Sequence, residues 1–415
     1  MTQSKLETVN FRKDAFIIVE GAQKADRFYI ICNGNVRLLK EVEVIKEEKD
    51  ILVSGDFFGV VSTMSSHSYI ETAQAVNAVS LISIKKEQYG EIIQSNPNIA
   101  LKIIQQFSKQ LRYLNESLTQ LTLKRPVVED ISLLFKIGEY YFKEKLHNQA
   151  YYNQAYYAYK KYLELCPKGQ NVKDAQKHKD FIAMKVNEDG LRFKENGSIR
   201  IYPQNALFFC EGEPGEELFI IQKGSVRITK IVDNNEKIFA ILKVGDIFGE
   251  MAILENKPRS ASAIAHDGEC TVMVVNKSNF EMIVKSQPQI VSRLTTILSE
   301  RIWSVYRQIA STLITKPLGQ LYDALLLHLE KNRVPIDTKE SYTFDFGRED
   351  LIKMVGLSRE EGMNFTREML LDDKKMQVRE GKLYCPDIRV ISREVQYYRR
   401  MDKRKTNIEQ SHLKT

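Results

Sequence analysis

FGEMAILENKPRSASAIA, residues 248–265, is the stretch on which the reading of this chain turns. It opens on a glycine turn at Gly249, sets the Glu250 carboxylate directly after it, and brings in Arg259 before the small residues Ser260 and Ala261. A second stretch, FGVVSTMSSHSYIETAQA at 58–75, aligns with it without gaps, but Val60 stands opposite Glu250 and Tyr69 opposite Arg259. Upstream, EGAQKADRFYIICNG (20–34) and NVRLLK match EGEPGEELFIIQKG (211–224) and SVRITK. Gly55 and Gly245, in VSGDFFG and KVGDIFG, follow Gly34 and Gly224 by the same 21 residues. Glycine serves tight turns that need a positive φ, and the apolar runs between these turns alternate as strands do. The chain therefore contains an internal repeat. It predicts two β-rolls of short antiparallel strands, each followed by helix, with both charges kept in the second copy alone.

The stretch 248–265 resembles the phosphate-binding cassette of cyclic-nucleotide-binding domains, as in the cyclic-AMP receptor protein and kinase regulatory subunits. The match is carried by Phe248, Gly249, Glu250, Ala252, Pro258, Arg259, Ser260 and Ala261. The resemblance implies that Glu250 accepts a hydrogen bond from the ribose 2′-hydroxyl. It also implies that Arg259 pairs with the cyclic phosphate, helped by Ser260 and by backbone amides near Gly249 and Met251. Physical chemistry supports the assignment independently. A cyclic phosphodiester is a permanent anion with paired oxygens, which a guanidinium meets bidentately. A short helix beginning at Glu250 would aim free N–H groups at the same anion. The alternative is a structural Glu250–Arg259 ion pair. In the first copy a cyclic phosphate would be desolvated without a counter-charge, so that roll is expected not to bind cyclic nucleotide in the usual way.

Ser260 fits cyclic AMP, with cyclic GMP left open. In the family, base contacts come from the long helix after the roll. The matching positions here fall around Trp303, Ser304 and Tyr306, with Ser304 the candidate base contact and ordinary helix packing the alternative for each.

Between the rolls, Ile99, Ile103, Ile104, Phe107, Leu111, Leu114 and Leu118 recur at helical spacing. Gly138, Tyr141, Ala155, Tyr159 and Pro167 resemble one tetratricopeptide-type helical hairpin, and a Tyr-rich spacer is the simplest role for it. After the second roll, Leu294, Leu298, Ile302, Val305, Ile309 and Leu313 line a narrow stripe on one long helix. Such a stripe suits a twofold homodimer seam, or packing on the chain's own roll. Further on, Arg348, Leu351, Val355, Gly356, Ser358, Arg359 and Glu360 match the helix-turn-helix of the cyclic-AMP receptor/FNR superfamily, and Glu380-Gly381 marks a wing. That resemblance implies a winged helix-turn-helix on double-stranded DNA. Ser358 would cap the recognition helix, and Arg359, Glu360 and Asn364 would face the bases. Glu361 and Gly362 depart from the pattern: the first sets a negative charge toward phosphates, and the second costs helix propensity of about 1 kcal/mol.

The composition fits a multidomain protein: 415 residues, 43% hydrophobic and 28% charged, with a mild net charge of +7. No run approaches the ~18 apolar residues of a membrane span, and the first residues lack a secretory core, so a cytoplasmic location is expected. Five scattered cysteines and six histidines form no metal-ligand pattern, and no P-loop or nucleophile elbow appears. The expectation is an α+β chain and not an enzyme. It comprises a degenerate roll (1–95), a helical linker (96–186), a nucleotide-binding roll (187–286), a long dimerisation helix (287–315), and a winged helix-turn-helix with a basic tail (316–415). The function expected is a cyclic-nucleotide-responsive transcription regulator. The alternative is a nucleotide-sensing interaction protein that works through the hairpin and the first roll.

Overall fold

The structure, a computed structural model, describes residues 6–21, 25–40, 51–123, 131–143, 150–184, 193–232, 235–336, 338–355, 357, 359–372 and 374–412. The first roll contains β1 (Glu7–Phe11), β2 (Phe16–Ile18), β3 (Arg27–Asn33), β4 (Val36–Leu39), β5 (Ile51–Leu52), β6 (Phe57–Phe58), α1 (Val60–Ser65), β7 (Thr72–Ala75) and β8 (Val79–Lys85). Helices α2 (Tyr89–Ser95), α3 (Pro97–Leu123), α4 (Leu133–Lys143), α5 (Ala150–Leu165) and α6 (Val172–Ala183) follow. The second roll contains β9 (Lys194–Asn196), β10 (Ile199–Tyr202), β11 (Leu207–Phe209), β12 (Glu217–Lys223), β13 (Val226–Val232), β14 (Asn235–Leu242), β15 (Ile247–Phe248), α7 (Glu250–Glu255), β16 (Ser262–Ala265) and β17 (Cys270–Asn276). The chain ends with α8 (Lys277–Ser286), α9 (Pro288–Thr312), α10 (Pro317–Lys331), β18 (Tyr342–Thr343), α11 (Arg348–Val355), α12 (Arg359–Met369), β19 (Gln377–Arg379), β20 (Lys382–Cys385) and α13 (Arg389–His412).

The repeat is visible in the backbone. The first roll pairs sheet β1-β8-β3-β6 with sheet β2-β7-β4-β5, and the second pairs β15-β12-β17-β10-β9 with β11-β16-β13-β14. Tyr29 lies across from Phe58 as Phe219 lies across from Phe248. The short helix is framed identically in both copies. Gly59 (φ 79°) and Gly249 (φ 78°) precede it, and Ser66 (φ 56°) and Asn256 (φ 54°) end it in the left-handed region. This conformation strains any Cβ-bearing residue, so glycine holds the first position of each pair.

The chain divides into two compact units that do not follow the linear domains: residues 1–86 with 303–415, and residues 87–302. In the unit formed by 87–302, the hairpin α4–α5 is no free spacer. Its Leu134, Ile137, Tyr141 and Tyr159 share one buried core with Leu207, Cys210 and Ile264 of the second roll. Gly138 permits this hairpin's close contact, because a Cβ there would stand 2.7 Å from the Tyr159 ring. The seam residues Leu294, Leu298, Ile302 and Ile309 of α9 are buried within the single chain, and Leu313 is exposed. Val305 of the same stripe is half-buried.

In the other unit, α10 to α13 and the sheet β18-β20-β19 surround Leu321, Leu325, Phe344, Leu351 and Met369. The β19–β20 hairpin turns through Glu380 (φ 48°) and Gly381 (φ 78°). A buried ionic knot fastens three helices. Arg307 of α9 donates to Glu330 (2.7 Å) and Asp323 (3.3 Å) of α10, and Arg399 of α13 donates to Asp323 (2.9 Å). Burial opposes the Asp323 charge, but the two guanidinium groups outweigh it and hold its carboxyl below the usual range.

Gly362, a poor residue for a helix interior, has a packing reason. A Cβ at this position would sit 2.4 Å from Cγ2 of the buried, β-branched Ile352 on α11. Gly362→Ala should gain helix propensity yet destabilise the fold by about 1–2 kcal/mol through overpacking. Thermal unfolding decides this, since a Tm at or above wild type would mean that α11 yields freely.

Candidate functional site

The second roll builds its site around a buried guanidinium. Arg259 is 6% exposed. Its Nη1 donates to the Gly249 carbonyl (2.6 Å) and its Nη2 to the Glu217 carbonyl (2.8 Å). Its Cζ lies 4.1 Å from the centroid of the Phe209 ring, a cation–π contact. Two glycines make the room: a Cβ on Gly215 would stand 2.4 Å from the Arg259 Cζ, and one on Gly249 would stand 2.7 Å from Nη1. Nε is buried and has no partner. Among the described residues no carboxylate lies at ion-pair distance from this guanidinium. Burial depresses its pKa below the ordinary value, partly offset by the more distant Glu213. A buried cation held by carbonyl dipoles and a ring face keeps part of its desolvation cost uncompensated.

Glu250 opens α7 and is 2% exposed. It faces Arg301 of α9, whose Nη1 donates to it at 2.9 Å and whose Nη2 donates to the Ile247 carbonyl. Glu250 and Arg259 are therefore not each other's ion-pair partners. The Arg259–Gly249 bond nevertheless places the guanidinium against the residue just before Glu250. Met251 is buried, with Sδ 3.7 Å from Oγ of the half-buried Ser260. Gly249, Glu250 and Met251, on the turn and the short helix, thus meet Arg259 and Ser260 from the segment that leads into β16.

The long-helix candidates sit differently. Trp303, Ser304 and Tyr306 belong to the unit of the first roll. There the buried Trp303 ring stacks on His67 at 3.7 Å and 12°, and Tyr306 donates to Glu20 at 2.7 Å. Ser304 between them is half-buried. The α9 residue that meets the second roll's cassette is Arg301, which sequence spacing did not single out.

The first roll keeps the turn and changes the side chain packed on it. Tyr69 is buried and donates to the Arg27 carbonyl at 2.7 Å, the counterpart of the Glu217 carbonyl that receives Arg259. Its ring lies over Gly59, where a Cβ would come within 3.3 Å. Glu71, opposite Ala261, accepts from the Gly59 amide at 2.8 Å. A phenol thus stands where the second roll has its guanidinium, and a carboxylate where it has Ala261.

In the C-terminal unit, Glu360 and Asn364 stand exposed on α12 with Glu361, Arg367 and Glu368. Arg359 begins this helix, while Gly356 and Ser358 lie outside the described residues. Arg348 binds α11 to α12 through Thr366 (2.9 Å) and the Met363 carbonyl (3.1 Å). Among the described residues no group of His, Cys, Asp and Glu is arranged to hold a metal, and no helix is long and apolar enough to cross a membrane.

Residues 8–96 and 199–287 each match the cyclic nucleotide-binding domain family, so both rolls are domains of that class. A CRP-like cAMP-activated global transcriptional regulator of Mycobacterium tuberculosis is 28% identical over 160 residues, which are 38% of this chain and 71% of the relative. The cAMP-activated global transcriptional regulator CRP of Pasteurella multocida is 26% identical over 191 residues, 46% of this chain and 90% of its own. Among solved structures, the regulatory domain of Toxoplasma gondii PKA with cAMP aligns over 68% of this chain and 83% of its own at 17% identity. Its TM-score is 0.20, too low a superposition to transfer structural detail.

The His67–Trp303 stack has a pH signature. Burial pushes the His67 pKa down to about 4, with the Arg333 and Lys86 charges acting in the same direction. The unfolded chain binds this proton near pH 6.5 and the folded one only near pH 4, so stability should fall as pH drops across that interval. His67→Phe keeps the stack without the titration. Its Tm should be flatter than wild type from pH 7 to pH 4.5, and parallel Tm profiles would remove His67 as the cause.

Proposed function

We propose that this protein is a cyclic-nucleotide-responsive, DNA-binding transcription regulator of the cyclic-AMP receptor/FNR type, and not an enzyme. Its effector binds the second roll. The observation that carries this reading is the Arg259 guanidinium, buried with two carbonyl partners and no carboxylate. A cyclic phosphate supplies the missing anion and leaves Glu250 to accept the ribose 2′-hydroxyl. Gly249 and Met251 border the phosphate, and Ser260 adds a hydroxyl donor. Arg301 holds Glu250 in the unliganded chain, so ribose binding competes with that ion pair and carries the signal into α9. Ligand shifts the protein only by the difference in its affinity for the two arrangements.

Cyclic AMP is the favoured effector, from Ser260 and from the names of the relatives, with cyclic GMP as the competitor in the test. Ser304 as a base contact draws no support from its neighbours, both of which engage the first roll. DNA recognition falls to the winged helix-turn-helix, with Ser358 as cap and Arg359, Glu360 and Asn364 on the recognition helix α12. A cytoplasmic regulator of this class commonly acts as a homodimer. Its seam would run along 287–315, where Val305 is half-buried and Leu313 exposed.

A second reading has a specific observation behind it. The exposed face of α12 carries Glu360, Glu361 and Glu368 beside Arg367, an acidic face toward an anionic duplex. It favours a nucleotide-sensing interaction protein that works through the hairpin and the first roll without specific DNA binding.

Calorimetric titration with cyclic AMP and cyclic GMP tests the sensor. One site per chain is expected, weakened by more than about thirtyfold in Arg259→Leu, since a buried charge partner is removed. Absence of heat and of thermal stabilisation with either nucleotide would end the proposal. For the output, binding to mixed duplex DNA should weaken with salt and with Arg359→Ala. Intact cyclic AMP binding with no DNA binding would select the second reading.

A further inference from the structure

The helical segment between the rolls grips the nucleotide cassette at both ends, all within residues 87–302. On one side, α3 supplies Ser108 and Arg112. Ser108 donates to Oε1 of Glu255 at 2.6 Å, and Arg112 Nε donates to Oε2 at 2.8 Å. Arg112 Nη2 reaches the Pro258 carbonyl at 3.2 Å, whose peptide bond leads directly into Arg259. Both charged side chains are essentially removed from water, at 3% and 2% exposed. Glu255 is the last residue of α7, the helix that Glu250 begins.

On the other side, α5 supplies Tyr157 and Lys161. Tyr157 donates toward both oxygens of the buried Glu213 at 3.2 Å, and Lys161 Nζ stands 3.6 Å from Oε1. The same carboxylate accepts from the Cys210 amide at 3.0 Å, which fixes the Glu211–Glu217 loop. That loop pairs with Arg259 through backbone alone: the Arg259 amide donates to the Glu213 carbonyl at 2.8 Å, and the Gly212 amide donates to the Arg259 carbonyl at 2.9 Å. Glu213, like Arg259, is penalised by burial, and its pKa is raised. Tyr157 and Lys161 act against that penalty, so losing either leaves a buried carboxyl with fewer partners.

We propose that Arg112 and Tyr157 are positioning residues for the cyclic-nucleotide site, holding the peptide before Arg259 and the loop paired with it, so that the helical segment sets the affinity of the second roll. This rests on the sensor reading above for the identity of the ligand. The segment then acts as part of the sensor. Coupling of this kind is reciprocal, so a ligand that shifts Arg259 or α7 alters the hairpin's hold to the same extent.

The test compares full-length variants with cyclic AMP as the probe, measuring Kd and Tm together. Arg112→Met alone strands a buried carboxylate and should lower Tm, which any structural role predicts. The deciding variant is Arg112→Met with Glu255→Gln, which removes both charges. Positioning predicts that its Tm returns toward wild type while cyclic AMP binding stays about tenfold weaker, as for loss of a charged hydrogen bond at the site. Tyr157→Phe, which keeps the ring, should weaken binding by a similar factor. Wild-type Kd in both variants overturns the proposal. If wild-type protein binds no cyclic nucleotide, the sensor reading fails by itself, and amide hydrogen exchange still decides the positioning claim. Faster exchange at the Gly212 and Arg259 amides in Tyr157→Phe supports it, and unchanged protection refutes it.

Discussion

A guanidinium buried without a carboxylate governs the second roll. Removing the Arg259 charge from water has a high cost, and carbonyl dipoles with an aromatic face offset only part of it. The surrounding features follow from that need. Gly249 and Gly215 leave space for the side chain, β12 and the turn after β15 present the Glu217 and Gly249 carbonyls, and the Phe209 ring lies alongside. The first roll supplies the contrast within the same chain. Its backbone forms the same turn and the same short helix, but Tyr69 satisfies the equivalent carbonyl with a neutral hydroxyl and Glu71 takes the Gly59 amide. Among the described residues of that roll, no arginine stands where Arg259 stands in the second.

Glu250 and Arg259 of the cassette are held by different parts of one unit. Arg259 is fixed through its own backbone and the Glu213 loop, whereas Glu250 is held by Arg301, far along the chain on α9. A ligand that engages both must act on the loop and on the long helix together. In the unit of residues 1–86 and 303–415, the Arg307–Asp323–Arg399 knot performs a related task with permanent partners. Opposite charges sit at hydrogen-bond distance, so that region is closed where the second roll's cassette is poised.

The repeat, both rolls and the cassette were legible in the sequence because they depend on local chemistry. Positive-φ turns select glycine, half-buried strands select alternation, and a phosphate receptor selects arginine at a fixed distance from a glycine turn. The two rolls, the helices of the linker and the hairpin at Glu380-Gly381 follow from these signals. Gly362 was legible only as a departure, since its purpose is the Ile352 side chain on another helix.

Long-range partnership was not legible. Sequence spacing pointed to Trp303, Ser304 and Tyr306 as base contacts, but helical phase and packing turn Trp303 and Tyr306 to the first roll and give Arg301 to Glu250. The α9 stripe reads first as a seam between chains, with packing on the chain's own roll as the alternative, because periodicity records that a face is apolar and not what covers it. The hairpin read as a spacer, and only the fold sets Tyr157 and Lys161 against Glu213. The sequence by itself determined where the arginine, the carboxylate and the glycine turn fall relative to one another, since that is a matter of functional groups and turn geometry. The tertiary structure alone decided what holds those residues, because buried charges take their partners from whichever element packing brings near.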